Sequence, residues 1–235
     1  AYLSVARAGE DGPVAVRAWV RAGDLRLQLG DTASAARAYR AALDRDPGSS
    51  EAAWGVVETG AIDTPAIALR AFRALDGRDR EAAALEAVER FAELSGSAEG
   101  ISPALGLARA RLLVAQARPA EAIVDLRELG SSADGEIAAE ALALWARARR
   151  RQGRWGDARR IQDRLVEEHP SSPHAVDVVF YRADDRHDRG DLAAAAAGYR
   201  RAIEMAPALN RAGQARMRLG QVHLSRGEPG EAAEA

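Results

Sequence analysis

Residues 184–191 read DDRHDRGD, which puts four aspartates, one histidine and two arginines in eight positions. On a helix, Asp184, His187 and Asp188 share a face, because positions three and four apart are neighbours. Two carboxylates beside an imidazole could hold a weak divalent cation or act as an acid/base pair. The alternative is the solvated end of a helix. Asp185 precedes Arg189 by four residues, the favourable order for a surface ion pair, and Gly190-Asp191 reads as a turn.

A second concentration is RARRRQGR, residues 147–154. Arg147, Arg150 and Arg151 fall on one helical face. There they either sit at a helix C-terminus that favours cations or contact an anionic or polar ligand. Other constellations are weaker. His169, His174 and His223 lie apart in sequence, and we read His169 and His223 as structural. GSAEG and GEPGE lack the spacing of a phosphate-binding loop. The pairs Asp44/Asp46 and Glu167/Glu168 end helices near a proline, where no desolvated pocket raises a carboxyl into general-acid range.

The chain as a whole narrows the choice. Its formal charge of -2 gives no electrostatic reason to attract nucleic acid or an anionic membrane. It has no cysteine, which removes disulfides, thiolate metal sites and a cysteine nucleophile. No apolar run reaches the roughly 18 residues a membrane span requires. We assign no catalytic residue, cofactor or metal to these 235 residues.

The elements that carry the charged clusters repeat. Gly153, Gly190 and Gly227 are evenly spaced, and each opens the same succession: Ala158, Leu165 and Pro170; then Ala195, Tyr199, Ala202 and Pro207; then Ala232. Near the start, Trp19, Gly23, Gly30-Asp31, Ala35, Tyr39, Ala42 and Pro47 form the same pattern. This resembles the tetratricopeptide repeat, a helix–turn–helix unit of about 34 residues. Glycine ends the first helix in a left-handed residue, the following Asp caps the next, and small residues let the pair close. The patterns predict helices near 14–29, 33–45, 51–60, 65–75, 79–94, 103–116, 119–129, 136–151, 155–168, 174–189, 192–205 and 210–225. The expected fold is all-α, an α-solenoid of stacked hairpins coiling into a right-handed superhelix. We expect hairpins over 1–93, a hinge or loop over 94–102, and a second array over 103–235.

In this frame DDRHDR ends a first helix and Gly190-Asp191 is its turn, so we read the run as a solvated helix end. Val176, Val179, Phe180 and Ala183 make that helix's apolar stripe. The residues expected on the concave side are Arg147, Arg150, Arg151, Phe180, Asp184, Asp188 and Gln221. Chaperone-tail-binding tetratricopeptide domains place Lys and Asn at defined inner positions. Here those positions hold Val20 and Asp24, Ala143 and Arg147, Phe180 and Asp184, so that clamp is absent.

Residues 136–235, with HPSSPHA, AGYRRAIEMAP and NRAGQARMRLG in order, are also similar to the superhelical region of bacterial soluble lytic transglycosylases. The resemblance implies a non-catalytic scaffold for peptidoglycan glycan strands, protein partners or both, in the periplasm or cell envelope. It places the Glu-Ser active site of that family beyond Ala235, because no Glu-Ser pair occurs here. The alternative is a stand-alone tetratricopeptide adaptor, cytoplasmic or in the envelope, that binds proteins through its concave face.

Overall fold

A computed structural model describes residues 12–96, 102–132 and 135–234. Among them are thirteen helices and no strand: α1 Pro13–Gln28, α2 Thr32–Arg45, α3 Ser50–Glu58, α4 Pro65–Leu75, α5 Glu81–Leu94, α6 Pro103–Ala115, α7 Pro119–Ser132, α8 Gly135–Arg151, α9 Trp155–Glu168, α10 Pro173–Asp188, α11 Leu192–Met205, α12 Asn210–Ser225 and α13 Pro229–Glu234. The fold is an α-solenoid of helical hairpins, as expected. The helix starts follow from local chemistry. Asp31 and Asp191 accept backbone N–H bonds from Ser34 and Ala194, at 3.0 and 3.2 Å. Ser102 and Ser172 cap α6 and α10, each followed by a proline at the first helical position, where a missing N–H costs nothing.

The hairpin turns share one geometry. Gly30, Gly60, Gly153, Gly190 and Gly227 all take left-handed φ values of 64 to 80°. At Gly190 the glycine N–H bonds to the His187 carbonyl and the next N–H reaches back to Arg186, both at 2.9 Å. These two bonds satisfy carbonyls that the helix end would otherwise strand. Ala117 occupies the same position between α6 and α7, with φ 58° and the same pair of bonds to Val114 and Leu113.

The chain falls into two compact units, one through Arg118 and one from Pro119. Of the expected 94–102 hinge or loop segment, residues 97–101 lie outside the described residues. In the first unit α1 packs on α2 and α3, and α4 packs on α3 and α5. Tyr39 of α2 is 1% exposed. Its ring lies between Gly23 of α1 and Gly55 of α3, where an added Cβ would meet ring carbons at 2.6 and 2.4 Å. Backbone thus approaches the ring from both sides, and the Tyr39 hydroxyl donates to Asp24 at 2.9 Å.

The second unit repeats this logic. α8 and α9, α10 and α11, and α12 and α13 form successive hairpins, while α8, α10 and α12 contact one another in series. Their core is continuous: Leu142 and Ala146 of α8, Ile161 and Leu165 of α9, Val176 and Phe180 of α10, Tyr199 of α11, and Leu219 and Val222 of α12. His223 is 4% exposed and completes it, in line with the structural reading. Arg200 bonds its Nε2 at 3.1 Å. Arginine only donates, so Nδ1 carries the proton and donates to Glu228 at 2.7 Å. No helix among the described residues is long and apolar enough to cross a membrane.

Two substitutions test this architecture by chemical denaturation. Nothing lies within 4 Å of an added Gly190 Cβ, so Gly190→Val is opposed by conformation alone, and stability should fall by about 2 kcal/mol. Ala117→Gly relieves the same strain and should be neutral or stabilising by up to about 1 kcal/mol. An undiminished midpoint for Gly190→Val would remove the turn assignment. Gly55→Ala should lose about 1–2 kcal/mol despite alanine's better helix propensity, because its methyl group overpacks Tyr39.

Candidate functional site

α8, α10 and α12 are the first helices of their hairpins, and one side of each is left uncovered. On α8 this side carries Arg147, Arg150 and Arg151, all exposed. On α10 it carries Asp188, whose side chain is 83% exposed, with Tyr181 alongside. On α12 it carries Gln214, Met217, Gln221 and Leu224, spaced at three and four residues. Met217 and Leu224 are 58% and 62% exposed.

A groove of about 360 Å³ runs between α8 and α10, with Gln162 of α9 beneath. Ala143, Ala146 and Arg150 form one wall, and Asp177, Tyr181 and Asp185 belong to the other. Arg182 ties the second wall to α9 through Asp163 at 2.6 Å and Gln162 at 3.3 Å. Arg211 from α12 locks its opposite edge. It donates to Asp177 at 2.6 Å and the Tyr181 hydroxyl at 3.1 Å, and its guanidinium lies 4.9 Å from the Phe180 and Tyr181 ring centres. Cation–π contact of this kind strengthens as water is excluded.

The structure separates the residues expected on this face. Arg147, Arg150, Arg151, Asp188 and Gln221 are on it, and of the three α8 arginines Arg150 lines the groove. Phe180 does not lie on the surface: it is 4% exposed, because it continues the buried Val176–Ala183 stripe. Its ring centre is 5.6 Å from those of both Tyr181 and Tyr199, so it supports the face from below. Asp184 is bound internally. It accepts from the Tyr199 hydroxyl at 2.5 Å, and Arg218 of α12 approaches to 3.4 Å. Met217 and Leu224 are additions. Their spacing with Gln214 and Gln221 was the available signal, but lone apolar residues on a helix read as core.

The opening run resolves the same way. Asp185 pairs with Arg189 at 2.8 Å, and Asp184 is engaged by Tyr199 and Arg218. His187 Nδ1 lies 3.7 Å from an Asp188 oxygen. Among the described residues no three His, Cys, Asp or Glu side chains converge as a metal site would require.

Burial pushes the Tyr199 hydroxyl above its ordinary value of 10.0, and the hydrogen bond to Asp184 adds to the shift. Tyr39 is raised for the same reasons, burial first and then Asp24.

Surface, groove and repeated hairpins define a helical-repeat protein whose first helices leave one side uncovered. A family model for the tetratricopeptide repeat matches residues 1–55, 143–210 and 180–235, more than half of the chain. The protein belongs to the tetratricopeptide repeat family. No curated protein matches it. Similar solved structures include Pseudomonas aeruginosa pilF, 16% identical over 92% of this chain and 88% of that one, with TM-score 0.48. PilW, a widely conserved type IV pilus biogenesis factor, is 17% identical over 93% and 89%, with TM-score 0.45. YrrB, a tetratricopeptide protein with an unusual peptide-binding site, is 14% identical over 92% and 97%, with TM-score 0.43.

The two tyrosines predict an alkaline signature. Their folded-state pKa values exceed the unfolded value, so between pH 10 and the folded values the native state holds more protons than the unfolded state. Stability is then fully present below about pH 10 and falls as pH rises further, by up to about 1.4 kcal/mol per pH unit for each tyrosine. Urea midpoints measured from pH 9 to 11 should decline, and the decline should flatten in Tyr39→Phe/Tyr199→Phe. An equal slope in both proteins would dissociate the tyrosines from it.

Proposed function

We propose that this chain is a protein-interaction scaffold that holds a peptide segment of a partner across the uncovered faces of α8, α10 and α12. The observation that carries the reading is the face itself. Exposed Tyr181, Met217 and Leu224 lie among charged and amide groups, and a groove beside Arg150 is deep enough for a side chain. Aromatic, methionine and arginine side chains are the types enriched at protein interfaces, and stacked repeats offer extended surfaces of this kind. Membership of the tetratricopeptide repeat family supports the same reading.

A role as the superhelical scaffold of a peptidoglycan lytic transglycosylase, with the envelope location it entails, rests on the resemblance of residues 136–235 alone. The apolar side chains of α12 favour a protein ligand over a glycan strand. Arg147, Arg150, Asp188 and Gln221 would serve as polar contacts, with Arg151 at the margin, while Phe180 and Asp184 hold the face in shape.

Selection of peptides from a random library on the intact chain, followed by photo-crosslinking from position 221, tests this. Selected peptides should crosslink to this position. They should lose about tenfold or more in affinity to Met217→Ser/Leu224→Ser and to Arg147→Ala/Arg150→Ala, with helicity unchanged by circular dichroism. No crosslink from position 221, or affinities untouched by both variants, would overturn the proposal. Sedimentation with purified peptidoglycan sacculi should leave the chain in solution. Binding to sacculi would favour the glycan reading.

A further inference from the structure

The second unit has another surface, distinct from the one just described. Arg149 follows Arg147 by two residues, about 200° around the helix, and so faces away from the first-helix side. It borders a cavity of about 420 Å³ formed with α7 and α9. Arg127 of α7, Arg149 of α8, and Arg160 and Arg164 of α9 line it together with Trp145 and Ile161, and Asp157 is its one lining carboxylate. Four guanidinium groups against one carboxylate is a strong local excess in a chain whose formal charge is -2.

The four arginines differ in what already holds them. Arg164 is structural: it pairs with Glu168 at 2.7 Å and donates to the Gly130 carbonyl at 2.8 Å, tying α9 to the end of α7. Arg160 pairs with Asp157, which Arg154 shares at 3.3 Å. Arg149 reaches only the Gln152 amide oxygen, at 3.0 Å. Arg127 is exposed and has no hydrogen-bond or ion-pair partner among the described residues. Beside them the indole N–H of Trp145 is buried without an acceptor, which is uncommon for a buried donor.

We propose that this cavity is a second binding site and that its occupant is an acidic peptide segment of a partner protein. The guanidinium fork of Arg127 matches a carboxylate in two-point geometry, and Arg149 and Arg160 can take a second carboxylate. Trp145 and Ile161 supply apolar surface for a side chain between them. An extended polyanion fits less well, because the rest of the chain carries net negative charge. This inference is independent of the first-helix face.

The test uses the intact 235-residue chain and a fluorescein-labelled peptide of six glutamates, followed by fluorescence anisotropy. The peptide should bind, and binding should weaken as salt rises. Arg127→Gln/Arg149→Gln should lower affinity about tenfold, whereas Arg73→Gln/Arg201→Gln, at exposed positions that line neither surface, should not. Arg127→Gln alone, at an exposed position, should lose part of the affinity without a change in circular dichroism. Unlabelled peptide should alter tryptophan fluorescence in the native chain and not in Trp145→Phe. No binding of hexaglutamate, equal binding of hexaglutamine, or unchanged affinity in the Arg127/Arg149 variant would overturn the proposal. So would tighter binding of a single-stranded oligonucleotide at the same salt, which would make the site a nucleic-acid surface.

Discussion

The fold depends on a buried phenol clasped between helices. In the first unit Tyr39 fills the space left by Gly23 and Gly55, and its hydroxyl ends on Asp24. In the second, Tyr199 packs beside Phe180 and ends on Asp184, with the same fifteen-residue separation from its carboxylate. Each couple joins a second helix to the first helix before it. It fills volume that neighbouring backbones cannot, and it satisfies a hydroxyl that would be costly to leave unpaired. Packing and polar satisfaction therefore fix the hairpin at one place.

The hairpin of α8 and α9 breaks this rule. In the register where α1/α2 and α10/α11 have Asp and Tyr, it has Arg147 and Gln162. Without the couple, Arg147 is released to the surface, and Gln162 lies under a groove where it meets Arg182. The openings on both sides of α8 belong to a repeat that lacks the clasp.

Much of this organisation was legible in the residues. The recurring glycines located the turns, and the Asp after Gly30 and Gly190 announced caps. The first-helix arginines could be placed from helical periodicity alone. What the sequence hid was depth. Phe180 and Asp184 follow the same helical arithmetic as Asp188, yet one is buried by Tyr199 and the other bonded to it, and only packing separates them. Met217 and Leu224 erred in the opposite direction, as apolar residues left outside the core. The cationic cavity was beyond sequence reasoning, because Arg127, Arg149 and Arg160 come from three helices and converge only after folding. Ala117 escaped for another reason, since nothing in its type announces a left-handed residue.

The order of the first helices has a consequence for anything laid across them. A segment crossing from α8 to α12 meets the guanidinium groups of Arg147 and Arg150, then the carboxylate of Asp188, then the thioether and isobutyl groups of Met217 and Leu224. This sequence of environments is not the same when read backwards. The surface therefore has polarity: a ligand whose charges match it in one orientation is mismatched when reversed. It can distinguish the two ends of a bound chain and dictate from which side of the unit each end emerges.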